Sequence, residues 1–244
     1  MVLLSTPARL GMITPSSNTV LEPMTAELLA ASPGITAHAA RIGVTEISLG
    51  TGSVGQFDRT PMTEAARLLA DAKVASICWN GTSAGWLGPG RDRAMAAAIT
   101  AETGIQATSA VLATLDALTV LGGEGLGLVT PYVADVQDRI RANFAAEGFP
   151  CAADRRLDIT ENFAFAEVDE ATVERMIREV AEEGATVIVI LCTNVRGARL
   201  AKRLEAELDI TVLDSVSVAL WGALRAAGVD PGVVRGWGRL FDLS

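Results

Sequence analysis

Short apolar runs alternate with longer amphipathic stretches along nearly the whole chain. The apolar runs predict β-strands at 9–14, 35–41, 74–80, 104–108, 126–130, 150–156, 185–191 and 210–213. Apolar positions spaced three or four residues apart predict helices at 19–31, 61–72, 91–102, 109–121, 133–147, 171–184, 195–208 and 215–227. Continuously apolar strands are typical of a sheet that helices cover on both faces. The alternation of strand and helix therefore predicts parallel sheets with right-handed crossovers.

The chain also carries an internal repeat. The hexamer 10–15 (LGMITP) matches 126–131 (LGLVTP) at four identical positions, with apolar exchanges at the other two. Later in each half, the segment 77–83 can be laid on 188–194, which makes Gly81 the counterpart of Cys192. Two matches in the same order and at similar spacing indicate a duplication, with a four-stranded parallel sheet in each half. We expect a first domain formed by 1–115 together with 216–244, and a second domain formed by 116–215.

Composition narrows the classes of function. Half of the 244 residues are hydrophobic, a fifth are charged, and no apolar run reaches the roughly 18 residues of a membrane span. The formal net charge of −9 disfavours nucleic acid and anionic membranes as partners. The single histidine, His38, and the lack of CxxC or HExxH spacing argue against a metal site. Three cysteines and no apparent secretion signal predict reduced thiols and a cytoplasmic location.

Four polar loops follow predicted strands and are expected to lie at one edge of the sheets. They are Pro15-Ser16-Ser17-Asn18, Gly81-Thr82-Ser83, Pro131-Tyr132 and Cys192-Thr193-Asn194. Ligands of open parallel sheets bind beyond the carboxyl ends of the strands, and the helices that follow offer free N–H groups to anions. The loops therefore predict a shared site for a small carboxylate. Helix capping is the structural alternative for each polar residue, and Thr19 with Glu22 is predicted to form a capping box.

Cys192 is the strongest candidate for chemistry, because it ends a strongly apolar strand just before a predicted helix. A helix N-terminus lowers a thiol pKa, and a thiolate there can transfer a proton or attack carbon. A small buried core residue is the alternative. Tyr132, the only tyrosine, can donate a hydrogen bond to an oxyanion. Asn162 lies in a predicted loop, 158–170, that is long enough to cover a site.

Together these residues resemble the aspartate/glutamate racemase superfamily, and within it the branch of maleate cis-trans isomerases and arylmalonate decarboxylases. The segment 11–19 (GMITPSSNT) is similar to the first loop of the isomerases, and 81–83 (GTS) is similar to the corresponding loop of the decarboxylases. Tyr132 and Cys192 match the tyrosine and the second-half cysteine of both groups. Asn162 resembles a carboxylate-binding asparagine of the isomerases.

The resemblance implies an α/β fold of two pseudo-symmetric flavodoxin-like domains with the active site at their interface. It implies a cofactor-independent, cysteine-dependent isomerase or lyase that acts on a small carboxylate or dicarboxylate through an enolate-like intermediate. The catalytic candidates are Cys192 as proton donor or nucleophile, and Tyr132, Thr82 and Ser83 around the oxyanion. The candidates for substrate binding are Pro15, Ser16, Asn18, Gly81, Asn162, Thr193 and Asn194.

One departure leaves the reaction open. Racemases of this superfamily use two cysteines, one on each face of the substrate carbon, and maleate isomerases also carry two. Here Gly81 stands at the first position, as in the decarboxylases, in which the lone cysteine protonates the intermediate left after carbon dioxide departs. The first loop and Asn162 nevertheless resemble the isomerases. On the same reasoning, Gly81→Cys should place a second thiol across the substrate and add racemase activity.

Two other classes of function are also compatible with the sequence. A thiol hydrolase would use Cys192 to attack a small amide or cyclic imide, although the single histidine leaves no evident base. A non-enzymatic sensor of small acids would still bind its ligand after Cys192→Ala. The partner expected from the sequence is a small carboxylate, without nucleic acid or membrane, and a homo-oligomer is compatible with it.

Overall fold

The computed structural model describes residues 7–45 and 59–243, which form two four-stranded parallel sheets flanked by helices. The first half contains β1 Ala8–Pro15, α1 Leu21–Leu28, β2 Ile35–Ile42, α2 Arg59–Asp71, β3 Ser76–Trp79, α3 Ala84–Leu87, α4 Pro89–Thr103, β4 Ala107–Ser109 and α5 Ala110–Val120. The second contains β5 Leu126–Thr130, α6 Ala134–Ala146, β6 Cys151–Arg156, α7 Asn162–Phe165, α8 Glu170–Glu182, β7 Val187–Ile190, α9 Ala198–Leu208, β8 Thr211–Asp214 and α10 Ser215–Ala226. Two short 3₁₀ turns, Pro231–Val233 and Arg239–Asp242, follow α10.

The two sheets have the same strand order, and three strands of each, β1-β3-β4 and β5-β7-β8, pair in the same register. The order is β2-β1-β3-β4 in the first sheet and β6-β5-β7-β8 in the second. Ile13 pairs with Trp79 in the first sheet, and its repeat counterpart Val129 pairs with Ile190 in the second. Gly81 and Cys192 therefore both lie two residues beyond equivalent strand ends. The predicted α/β fold of two parallel sheets is confirmed.

The glycine of the repeated hexamer allows a helix to lie close to the central strand of each sheet. A Cβ added at Gly127 would lie 2.3 Å from a methyl carbon of Val180 on α8 and 2.8 Å from the Cβ of Ala185. Such distances are too short for any side chain, so α8 packs directly on the backbone of β5. This close packing explains why the repeat retains a glycine at a position that is otherwise apolar.

Helix α10 is almost entirely buried and packs mainly against α5, β3 and β4 of the first half. Its backbone accepts a hydrogen bond from a buried side chain of β3, because Ser76 Oγ donates to Ala223 O at 2.7 Å. The last helix thus lies against the first sheet although it follows the last strand of the second. The predicted domain boundaries, 1–115 with 216–244 and 116–215, stay a prediction.

The predicted capping box at the start of α1 is wrong. The helix begins at Leu21 without a side-chain cap from Val20, and Glu22 pairs instead with Arg41 on β2. The carboxamide of Asn18 takes the capping role, because its Oδ1 accepts from the backbone N–H groups of Val20 at 3.0 Å and Leu21 at 2.9 Å. Among the described helices, none combines the length and apolar character that a membrane span requires.

Candidate active site

The loops at the carboxyl ends of the strands are joined by hydrogen bonds between the two halves. Thr193, which follows Cys192, donates from Oγ1 to the carbonyl oxygen of Asn80 at 2.7 Å. Asn18 in turn donates from Nδ2 to Thr193 Oγ1 at 3.1 Å. All three residues are buried. Because a buried polar group without a partner is costly, these contacts fix the distance between the first-half and second-half loops.

Asn194 and Asn162 extend this connection. Asn194 is fully buried, and its Oδ1 accepts from the backbone N–H groups of Thr19 at 3.0 Å and Val20 at 3.3 Å. Its Nδ2 donates to the carbonyl oxygen of Asn162 at 2.6 Å, while Asn162 Nδ2 donates to Ser17 Oγ at 2.7 Å. The structure therefore brings these predicted binding residues together, and it uses their amide groups to hold the loops.

The environment of Cys192 differs from the one expected for a thiolate. The side chain is 3 % exposed, and burial raises the pKa of the thiol to about 12, although hydrogen bonds from Asn194 N–H and Tyr132 act in the opposite direction. The Asn194 N–H lies 3.4 Å from Sγ. Helix α9 begins only at Ala198, so the helix N-terminus is farther along the chain than the sequence predicted. The expectation of a lowered thiol pKa is wrong because desolvation outweighs the local donors.

Tyr132 connects the first-half loop to the cysteine. Its hydroxyl lies 2.6 Å from Thr82 Oγ1 and is also hydrogen bonded to Cys192. Burial raises the pKa of the phenol well above its usual value, so the hydroxyl stays a proton donor. The ring is held edge-on by Trp86 and Phe165, with centroids at 5.1 and 5.5 Å. This packing points one neutral hydroxyl toward both the threonine and the thiol.

The other residues predicted for the site lie around these loops. Ser83 is 4 % exposed, and its carbonyl oxygen accepts hydrogen bonds from the backbone N–H groups of Trp86 and Leu87 on α3. Pro15 is buried at the end of β1. Ser16 is exposed, and its hydroxyl is hydrogen bonded to the backbone of Val44. Gly81 lies under the indole ring of Trp79, and a Cβ there would be 2.1 Å from a ring carbon.

Two residues near the site were not found by sequence analysis. Trp79 was assigned only to a strand, and nothing in the pattern shows that its ring turns toward Gly81. Asp214 is fully buried, and its charge contributes to raising the pKa of Cys192. Its Oδ1 caps α10 by accepting from Val216 N and Ser217 N, both at 3.0 Å, while burial raises the pKa of the carboxyl to about 6. An aspartate between a strand and a helix is the sequence signal that could have indicated it.

The arginines that follow Cys192 are engaged in structural contacts. Arg199 pairs with Glu27 on α1 at 2.5 Å and with Glu170 on α8 at 3.2 Å. Arg196 donates to the carbonyl oxygen of Ala166 at 3.2 Å. Within 7–45 and 59–243, no cluster of three or more His, Cys, Asp or Glu side chains is arranged to hold a metal ion.

Two matching parallel sheets, with a buried cysteine at the junction of their loops, define the class of protein. It is an enzyme of the aspartate/glutamate racemase superfamily, an isomerase or a decarboxylase, as the resemblance implied. The family profile described as arylmalonate decarboxylase matches residues 10–241. The chain therefore belongs to the arylmalonate decarboxylase family.

Individual relatives support this assignment. The chain is 32 % identical over 203 residues to arylmalonate decarboxylase of Bordetella bronchiseptica, covering 80 % of this chain and 85 % of the relative. It is 24 % identical over 241 residues to maleate isomerase of Nocardia farcinica, covering 95 % and 94 %. These relatives are a decarboxylase and an isomerase, so they lend no support to the sensor or the hydrolase.

Solved structures show the same fold. Unliganded arylmalonate decarboxylase superposes with a TM-score of 0.80 and 28 % identity, covering 97 % of this chain and all of that one. A Nocardia farcinica maleate cis-trans isomerase with a covalently bound succinylcysteine intermediate superposes with a TM-score of 0.87 and 22 % identity, covering 96 % and 98 %. The covalent intermediate shows that a cysteine is the reacting group in that isomerase.

Proposed function

We propose that the protein decarboxylates a small malonate-type dicarboxylate without a cofactor, with Cys192 as the proton donor. The observation that carries the proposal is that Gly81 occupies the equivalent position of the other sheet, so the site has a single thiol, that of Cys192. Burial raises its pKa to about 12, so at neutral pH the sulfur holds a proton that it can give away. In this reaction the substrate loses carbon dioxide, and the enzyme then protonates the intermediate that remains.

The reaction needs one acid and a neutral pocket for negative charge. When the carbon–carbon bond to the departing carboxylate breaks, its electron pair passes into the remaining carboxylate and forms an enediolate. Thr82, Ser83 and Tyr132 donate hydrogen bonds to the enediolate oxygens in a buried site, where such donors are strong. Cys192 then transfers its proton to the α-carbon, and the thiolate takes a proton from water to complete the cycle.

The same geometry disfavours maleate isomerisation. That reaction begins with a nucleophilic thiolate, and here the only site cysteine is strongly biased toward the thiol. Gly81 stands where the isomerases carry their first cysteine. In the isomerase-like first loop, Asn18 is engaged in hydrogen bonds to Thr193 and to the start of α1.

We also propose a class of substrate and a cellular location. The substrate is a small dicarboxylate, held in part by the loop backbone, with Asn18 and Asn162 setting the shape of the loops that meet the second carboxylate. The acidic net charge and reduced thiols support action in the cytoplasm, without nucleic acid or membrane partners. A homo-oligomer remains compatible with this assignment.

A parallel assay of two substrates tests the proposed function. The purified protein is incubated with an α-aryl-α-methylmalonate and, separately, with maleate, and the reactions are followed by carbon dioxide release and proton NMR. We expect carbon dioxide and the monocarboxylic acid from the malonate, and no fumarate from maleate. Fumarate without carbon dioxide release would instead establish the isomerase, and turnover of neither substrate would refute both assignments.

A further inference from the structure

The backbone at Gly81 is covered by the indole of Trp79. A Cβ built on Gly81 would lie 2.1, 2.4 and 2.9 Å from three ring carbons. Real Cβ atoms essentially never approach other atoms this closely, so any side chain at this position must displace the ring. Gly81 is not among the described residues with positive φ, so its constraint comes from the neighbouring ring and not from backbone conformation.

This position has a defined counterpart. Trp79 and Ile190 occupy the same register position in the two sheets, each paired with the repeat-related residue of the central strand. Two residues later come Gly81 in the first half and Cys192 in the second. An aromatic ring therefore fills the space that a side chain at Gly81 would occupy, whereas the equivalent position of the second half carries a thiol.

Trp79 also lines a cavity. Its side chain is 1 % exposed and lines a cavity of about 310 Å³ together with Met62, Ser83 and Leu87. The same ring therefore lines this cavity and covers the backbone of Gly81. A shorter side chain at 79 would join the cavity to the space beside Gly81.

We propose that Trp79 is a specificity-determining residue that closes the Gly81 face of the site, so that protonation occurs only from the Cys192 face. This inference rests on the proposed function for its catalytic consequence, whereas the steric relation between Trp79 and Gly81 stands independently. It also corrects the sequence-based expectation for Gly81→Cys. The single substitution does not add a usable second thiol, because the indole occupies the required volume.

A thermal unfolding cycle tests the steric relation without any substrate. The variants are Gly81→Ala, Gly81→Cys, Trp79→Leu and the double variant Trp79→Leu/Gly81→Cys. Overpacking at Gly81 should lower Tm by about 4–10 °C in Gly81→Ala and in Gly81→Cys, so the loss does not depend on the sulfur atom. In the Trp79→Leu background, the Gly81→Cys substitution should lower Tm by less than half as much.

The same four proteins test the catalytic consequence. In deuterium oxide, a single enantiomer of an α-arylpropionate should exchange its α-proton and invert at least tenfold faster with the double variant than with Gly81→Cys. In that reaction the thiolate introduced at position 81 removes the α-proton, the electron pair enters the carboxylate, and the Cys192 thiol protonates the opposite face. Adding Cys192→Ala to the double variant should abolish inversion.

Each outcome decides the inference. Insolubility of Gly81→Cys combined with a folded double variant supports the proposal. Parent-like Tm for Gly81→Ala and Gly81→Cys overturns it, and so does an equal loss of Tm in both backgrounds or failure of all Gly81 variants to fold. If the unfolding cycle behaves as expected but no malonate is turned over, the proposed function fails while the Trp79 assignment stands.

Discussion

The Gly81 loop and the Cys192 loop occupy equivalent places in two sheets of identical strand order, and they carry different chemistry. The Gly81 loop contributes a glycine and two residues that carry hydroxyl groups. The hydroxyl of Thr82 is hydrogen bonded to the hydroxyl of Tyr132 in the second half. The Cys192 loop contributes a thiol, while Asn194 joins the halves by accepting hydrogen bonds from Thr19 N–H and Val20 N–H. The two sheets thus carry loops at equivalent positions, and in the proposed mechanism one stabilises the oxyanion while the other delivers the proton.

The edge strands β4 and β8 also end at different residues in the two halves. Ser109 and Asp214 occupy equivalent register positions and each caps the helix that follows. In the first half a buried carboxyl comes from α4 instead, since Asp92 is hydrogen bonded to Ser109 and burial raises the pKa of this carboxyl to about 7. Each half therefore buries one carboxyl beside its loop, but only Asp214 influences the site cysteine.

The largest expected effect distinguishes the cysteines. Cys192→Ala should lower kcat for decarboxylation by about 10²–10⁴-fold, because the substitution removes the proposed proton donor. Cys151→Ala is the matched control, since Cys151 begins the edge strand β6 and should leave kcat within about twofold. Steady-state kinetics on the malonate measures both. A Cys192→Ala enzyme with near-parent kcat would mean that the thiol is a core residue.

The next effect tests the connection from Thr82 to Tyr132. Tyr132→Phe keeps the ring contacts and removes the hydroxyl, so kcat should fall about 10²-fold while Tm changes little. Thr82→Val removes the partner hydroxyl and should also lower kcat. Because the two groups share a hydrogen bond, the double variant should lose less than the product of the single losses. A simple product would show that the two hydroxyls act independently.

A stability effect follows from the hydrogen bonds of Asn194. Asn194→Ala removes the acceptor of Thr19 N–H in the first half and the donor to Asn162 O in the second, and it should lower the free energy of unfolding by about 1–3 kcal/mol. Asn143→Ala, which removes a single bond to Gly85 O, should cost less. Denaturant unfolding compares the two. An equal cost would show that Asn194 is no more important to the junction than an ordinary side-chain bond.

A smaller, pH-dependent effect distinguishes Asp214. Its folded pKa of about 6 lies above the ordinary value, so its contribution to stability is present at low pH and is lost as pH rises through 6. Asp92 and Glu205 shift in the same direction, so the parent slope has several sources. Asp214→Asn should make the fall in Tm between pH 4 and 7 shallower. An unchanged slope would show that Asp214 titrates normally.

The smallest effect concerns the ion pairs of Arg199. Exposed pairs contribute little, so Arg199→Ala should cost less than about 1 kcal/mol, and added salt should reduce that cost. Because this side chain is engaged with Glu27 and Glu170, KM for the malonate should not change. A large increase in KM would instead assign Arg199 to the substrate carboxylate.

Much of the fold could be predicted from the sequence, because strands buried on both faces produce continuous apolar runs and the hexamer 10–15 recurs at 126–131. The local sequence pattern gave a wrong prediction where a contact with a residue far along the chain determines the structure. Thr19 and Glu22 match a capping box, yet Glu22 pairs with Arg41 on a neighbouring strand and Asn18 caps the helix. Such long-range partners leave no signal in a single sequence.

The sequence predicted which residues form the candidate site better than it predicted their chemistry. The repeat placed Cys192, Tyr132 and Thr82 near each other, and the structure shows the contact between the last two. The pKa of Cys192 was predicted in the wrong direction, because burial depends on how both halves close over the thiol. The ring of Trp79 was missed because the direction of a side chain at a strand end depends on its packing.

The most direct test of the account is the stereochemistry of protonation. A prochiral α-aryl-α-methylmalonate is decarboxylated in deuterium oxide, and the product is analysed by mass spectrometry and chiral chromatography. Delivery of the proton by Cys192 from one face predicts a single enantiomer carrying one deuterium at the α-carbon. A racemic product from the parent enzyme would contradict the account, because it would place the proton donor in solvent and not on Cys192.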